Sequence, residues 1–96
     1  MSETIIWEMK TDDARRDALE QYLRGTLDDT RAHDGCESVV VHRNSDDPNH
    51  IIMVERWATH EQYQAYVAWR ATLGGRIKDF QAEPSFYRRF EILEDI

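Results

Sequence analysis

Only one cysteine, Cys36, occurs in the 96 residues, so the chain can form no internal disulfide and no cysteine-based zinc cluster. That scarcity suits a reducing cytoplasm. Basic charge is also short: 12 Lys and Arg stand against 19 Asp and Glu, for a net charge of −7 and a pI near 4.9. The cations are scattered, which argues against nucleic acid or an anionic membrane surface as a partner. No run approaches the roughly 20 apolar residues of a membrane span. The opening "MSETIIWEMK" has no basic segment followed by an apolar one, so no export signal is expected. Glycine numbers four, and none sits in a phosphate-cradling loop; a nucleophile elbow and an HExxH motif are absent too. The histidines never share one element at metal-ligand spacing, and the side chains of Asp12-Asp13, Asp28-Asp29 and Asp46-Asp47 diverge. Neither a metal nor a cofactor is expected.

What is present is a succession of short patterned elements within a single domain, residues 1–96. Thr4 to Lys10 alternates, with Ile5, Trp7 and Met9 on one side, and predicts a strand. "TDDARRDALEQYLRGTLDDTRAH" opens on the cap residues Thr11, Asp12 and Asp13 and carries Leu19, Tyr22, Leu23, Thr26, Leu27 and Thr30 at helical spacing. Cys36 to Arg43 and His50 to Trp57 are rich in β-branched residues and flank "NSDDPN", which predicts a hairpin with a long connection. Thr59 caps a second helix to about Leu73, Arg76 to Gln81 predicts a short turn, and Ser85 to Leu93 alternates as a last strand.

The order strand, helix, strand, strand, helix, strand is that of an α+β ferredoxin-like fold, an antiparallel sheet with both helices on one face. The strands carry more apolar residues than one face needs. Ile52 and Val54 oppose Ile51, Met53 and Trp57, and Val40 opposes Val39 and Val41. Two helices cover one side, so the second apolar face predicts a homodimer whose sheets pack together around a barrel-like core.

On a helical wheel Tyr63, Tyr66, Val67 and Arg70 fall together, with Trp69 and Leu73 along one margin. Tyr63 and Val67 read as core, with Arg70 able to snorkel past them to solvent. Tyr66, Trp69 and Arg70 each carry a donor that burial would oblige something to accept, so packing and pocket lining are both open to them. Glu55 shares its strand side with Ile51, Met53 and Trp57; without a partner, burial would raise its pKa, whereas Arg88 or Arg89 could hold it as a structural ion pair. Trp57, at the strand end, reads as pocket wall or core. His33 and His60 read as surface positions, while His42 lies within a strand as a surface residue or a candidate general base. Cys36 follows a glycine turn and reads as a small strand residue rather than a nucleophile.

"HDGCESVVVHR" leading into "IIMVERWATHEQYQAYVAWR", with a closing "FYRRFEIL", resembles the antibiotic biosynthesis monooxygenases, a family of small dimeric α+β barrel proteins. The likeness spans nearly the whole chain and rests most specifically on Gly35, on Glu55-x-Trp57 and on the Thr-x-Glu that opens the second helix. It implies cofactor-free oxidation of aromatic compounds, or haem degradation. The position where relatives commonly carry a helix histidine is Tyr66, which removes the axial ligand a haem-degrading relative would need. Met53 replaces an asparagine of some polyketide-oxidising relatives, and "TIIWEMK" lacks the first-strand asparagine of haem-degrading ones. The resemblance therefore points to a cofactor-independent monooxygenase that oxidises a small or polycyclic aromatic phenol or quinol with molecular oxygen. Trp7, Met53, Trp57, Tyr66, Trp69 and Phe80 are the expected walls, Arg70 the group that stabilises the phenolate, and His42 and Glu55 the candidate proton acceptors. The alternative is a non-catalytic small-molecule-binding or interaction protein on the same dimeric scaffold.

Overall fold

A computed structural model describes residues 2–96 and shows β1 (Glu3–Lys10), α1 (Arg16–Ala32), β2 (Cys36–Arg43), β3 (His50–Trp57), α2 (His60–Thr72), a 3-10 turn (Ile77–Phe80) and β4 (Phe86–Glu91). The strands form one antiparallel sheet in the order β2-β3-β1-β4, the ferredoxin-like arrangement expected. β2 and β4 are its edges. A bulge between Cys36 and Ser38 interrupts the β2–β3 ladder, and Arg31 donates from Nη2 to the Val39 carbonyl at 3.0 Å.

Strand alternation sorts the two faces. Toward the helices point Ile5, Met9, Val39, Ile51, Met53, Glu55 and Trp57, all buried, and α1 answers with Leu19, Leu23 and Leu27 on one stripe. Removing these side chains from water is the main stabilising term of the fold, about 1.5–3 kcal/mol for each large aliphatic or aromatic one. Outward point Ile6, Ile52 and Val54, half-buried, together with Val40, Phe86 and Phe90, each about half exposed. Across the sheet, Val40, Val54 and Ile6 fall in one row. Glu8 on this face takes Nη2 of Arg88 at 3.0 Å and Nε2 of His50 at 2.9 Å.

α1 begins at Arg16, later than Thr11 to Asp13 suggest. Thr11 is still tied to the sheet, its N–H donating to the Asn49 carbonyl at 2.8 Å and its hydroxyl to the Phe80 carbonyl at 2.7 Å. Asp12 instead closes a turn, its side chain accepting the Arg15 N–H at 2.9 Å. Thr59 caps α2 as expected, accepting the Gln62 N–H at 3.1 Å. Gly35, at φ +88°, sits so close to α2 that a Cβ there would lie 2.5 Å from the Gln62 side chain. That glycine satisfies both the backbone angle and the space.

Candidate active site

α2 buries only Tyr63, because a cavity of about 640 Å³ separates much of it from α1 and the sheet. Trp7, Met53 and Glu55 line the cavity from the sheet, Leu23, Thr26, Leu27 and Thr30 from α1, and Tyr63, Tyr66, Val67 and Arg70 from α2; Gly74, Gly75, Ile77 and Lys78 line it from the segment that follows α2. Tyr22, Ala71, Ser85, Phe86 and Tyr87 complete the lining, so all four tyrosines of the chain contribute. The volume falls within the roughly 300–1,000 Å³ of small-molecule sites, and the mostly apolar lining with a few polar groups has their character.

Arg70 turns inward. Its Nε donates to Tyr66 Oη at 2.9 Å, and its Nη2 donates to the Thr26 carbonyl at 2.7 Å and to Thr30 Oγ1 at 3.0 Å. The Thr30 and Tyr66 hydroxyls lie 2.7 Å apart, and the guanidinium carbon stands 5.0 Å from the Trp69 ring centre. This side chain fastens α2 to α1 rather than snorkelling to solvent, and among the described residues only Nη1 lacks a protein partner. The helical wheel places Arg70 in the stripe, but the acceptors it finds on α1 depend on helix spacing.

Glu55 is 5 % exposed, between Ile5 and Val39 on the flanking strands. Its Oε1 accepts from Trp57 Nε1 at 3.0 Å, and it forms no ion pair among the described residues. Burial pushes its pKa up, with the Trp57 hydrogen bond opposing in part. The expected pairing with Arg88 or Arg89 does not form. Arg88 points to the open face and meets Glu8, while Arg89 reaches Glu3 at 3.2 Å. β1 lies between β4 and β3, which puts the two strands about 9–10 Å apart. Burial, and then the Glu55 charge, raise the Tyr63 pKa and keep its hydroxyl protonated; the same two causes push the Cys36 thiol up, away from nucleophilic use.

Of the other predicted site residues, Trp7, Met53 and Tyr66 do line the cavity. Trp57 does not. It is wholly buried behind Tyr63 and Tyr66, with ring centres 5.5 and 5.0 Å away, so it belongs to the core. Trp69 lies outside the lining, 36 % exposed and packed on His33, because its wheel position turns it away from the sheet. Phe80 packs against the core and Tyr22, 5.2 Å between ring centres, without lining the cavity. His42 is exposed on the open face beside Ile52, across the sheet from the cavity, which removes it as a base within the protomer. Val67 lines the cavity at 46 % exposure instead of joining the core. His33, expected at the surface, sits half-buried among Trp57, Tyr66 and Trp69. His60 is half-buried as well, with Nδ1 2.7 Å from Glu3 Oε1. Sequence reasoning missed Tyr22, Thr26, Thr30 and Tyr87 as lining residues; for the first three, the signal was their shared stripe on α1. Among the described residues no group of three or more His, Cys, Asp or Glu side chains converges as a metal site, and no helix is long and apolar enough to cross a membrane.

These features define a class: a ferredoxin-like α+β domain that holds a tyrosine-walled cavity between sheet and helices. The family follows from the sequence, which matches the family model for antibiotic biosynthesis monooxygenase over residues 4–82; the chain belongs to that family. Rv0793 from Mycobacterium tuberculosis shares the fold at a TM-score of 0.79 and 20 % identity, covering 97 % of this chain and 96 % of its own. A conserved protein from Methanosarcina mazei Go1 reaches a TM-score of 0.84 at 9 % identity, over 94 % and 91 % of the two chains. A candidate antibiotic biosynthesis monooxygenase from Nitrosomonas europaea gives 0.79 at 19 % identity, over 96 % and 90 %. No curated protein registers a match. Family membership supports a monooxygenase-type role in general terms, while the structural likenesses speak to the fold alone.

Proposed function

We propose that the protein is a cofactor-independent monooxygenase of the cytoplasm, acting as a homodimer on a small or polycyclic aromatic phenol. The observation that carries this reading is the cavity itself: an apolar, aromatic-lined space with Tyr63 held protonated and one guanidinium nitrogen of Arg70 uncommitted. Trp7, Met53 and Tyr66 present aromatic and sulfur surface to a flat ring. A phenol with a free para C–H carries its own reducing power. Once deprotonated it can give an electron to dioxygen; one oxygen atom enters as a new carbonyl, the other leaves as water, and the product is a quinone. The protein's task is to exclude water, hold the ring and stabilise the developing oxyanion, for which Arg70 Nη1 and the Tyr63 hydroxyl are the available donors. The dimer is supported by the apolar outer face of the sheet, which α1 and α2 leave uncovered.

The test is oxygen uptake by metal-stripped protein with 1-naphthol, against autoxidation and heat-killed controls. Uptake above both, with one naphthoquinone formed per dioxygen consumed, is the expected result. Thermal stabilisation by 1-naphthol with no uptake would replace the enzyme by a binding protein.

A further inference from the structure

We infer that Glu55 is the proton acceptor of this cavity, taking the hydroxyl proton of a bound phenol on the carboxylate oxygen that Trp57 leaves free. The assignment rests on the phenol-oxidising reading above. Several observations converge on it. Among the described lining residues Glu55 is the one carboxylate, and with His42 across the sheet no histidine lines the cavity. Its Oε1 is fixed by the 3.0 Å bond from Trp57 Nε1, whose ring is itself wholly buried, so the carboxyl is oriented before any ligand enters. Among the described residues, the only sealed side-chain atoms lacking a hydrogen-bond partner are His33 Nδ1 and Gln81 Nε2. Glu55 Oε2 is not one of those sealed atoms, and no protein donor reaches it; with Glu55 in the cavity lining, it is the oxygen available to a ligand.

The surroundings make this carboxylate a better base than an exposed one. Ile5, Val39 and Met53 offer no countercharge, and the displacement of its pKa upward follows from that burial. The titratable groups that line the cavity with it are Tyr22, Tyr63, Tyr66, Arg70, Lys78 and Tyr87; Cys36 on β2 feels its charge, and Arg89, beyond Ile5 in the same cross-strand row, is paired with Glu3. Tyr63 and Cys36 respond to the Glu55 charge by holding their own protons more tightly, so neither competes as a base. Arg70 is committed through Nε and Nη2 to Tyr66, Thr26 and Thr30, which leaves it a donor toward the substrate oxygen.

The step balances with dioxygen as oxidant. The phenol O–H bond breaks, the proton passes to Oε2 and the electron pair stays on the phenolate. The phenolate and dioxygen combine at the para carbon as a peroxide anion, and Glu55 returns its proton to the terminal oxygen. Ionised again, Glu55 removes the para C–H proton as the O–O bond breaks. The departing hydroxide takes that proton as water, and the quinone remains.

The experiment compares wild type with Glu55→Gln, which keeps shape and an acceptor for Trp57. For wild type, the rate of 1-naphthol oxidation should rise as Glu55 ionises; in E55Q it should fall about 100-fold or more and lose that pH limb. An E55Q enzyme that keeps both rate and limb overturns the assignment. If wild type consumes no oxygen, the monooxygenase reading fails and binding decides the role of Glu55 separately. A carboxylate acceptor makes the preference for 1-naphthol over 1-methoxynaphthalene grow with pH in wild type and stay flat in E55Q. A preference flat in both, or no binding, rejects it.

Discussion

Glu55 costs the fold stability in proportion to its charge. Burial raises its pKa in the folded protein above the ordinary carboxyl value near 4.5, so the native state binds this proton more tightly than the unfolded chain does. The sign follows: the associated stability is fully present below that ordinary value and is lost as pH rises through the raised one. Glu55→Gln should therefore be at least as stable as wild type at pH 8 and should lack this decline. Urea titrations of both proteins between pH 4 and pH 8 read it directly; parallel profiles would show that the carboxyl is solvated after all. Residues of this kind were partly legible. Alternation in β3 places Glu55 beside Met53 and Trp57, and that placement holds. The partners of Arg88 and Arg89 were not legible, because they depend on which strand lies between β4 and β3. His33 was hidden for a similar reason: no local pattern marks a loop histidine that three aromatic rings will surround.

At the scale of elements, the turn into β2 and the start of α2 form one unit. Ala58 donates its N–H to the Gly35 carbonyl at 2.8 Å, and Gln62 reaches Asp34 at 3.3 Å. Gly35→Ala brings a methyl group against Gln62 at a positive φ, which costs about 2 kcal/mol for the backbone angle alone. The melting temperature should drop by about 10 °C, and thermal unfolding followed by circular dichroism measures it. A drop under 2 °C would mean that the turn can adopt another conformation. The glycine turn and the Thr59 cap were readable because both are local chemistry. The start of α1 was not, since Thr11 gives its hydrogen bonds to Asn49 and Phe80, distant in sequence, in place of capping a helix. α2 shows the limit of the helical wheel: it grouped Tyr63, Tyr66, Val67 and Arg70 correctly, but a stripe facing a cavity and a stripe facing a core have the same period.

For the molecule as a whole, the sheet's second face is where the proposed dimer would close. Val54 stands mid-row between Val40 and Ile6, so a dimer closed through this face would bury it in both protomers. Val54→Glu should turn a species of about twice 11.4 kDa into one of 11.4 kDa in sedimentation velocity, raising the dimer Kd roughly 100-fold or more. Wild type sedimenting at 11.4 kDa would show that the face is covered by something else. Closing that face still leaves β2 at the rim, with "SVVV" on a strand that could template the addition of foreign strands. The Arg31 guanidinium already occupies the Val39 carbonyl, and the bulge at Cys36–Ser38 breaks the regular ladder nearby. Together they take up one backbone acceptor on this rim and break the regular spacing of the rest, which works against edge-to-edge pairing of β2 with a foreign strand.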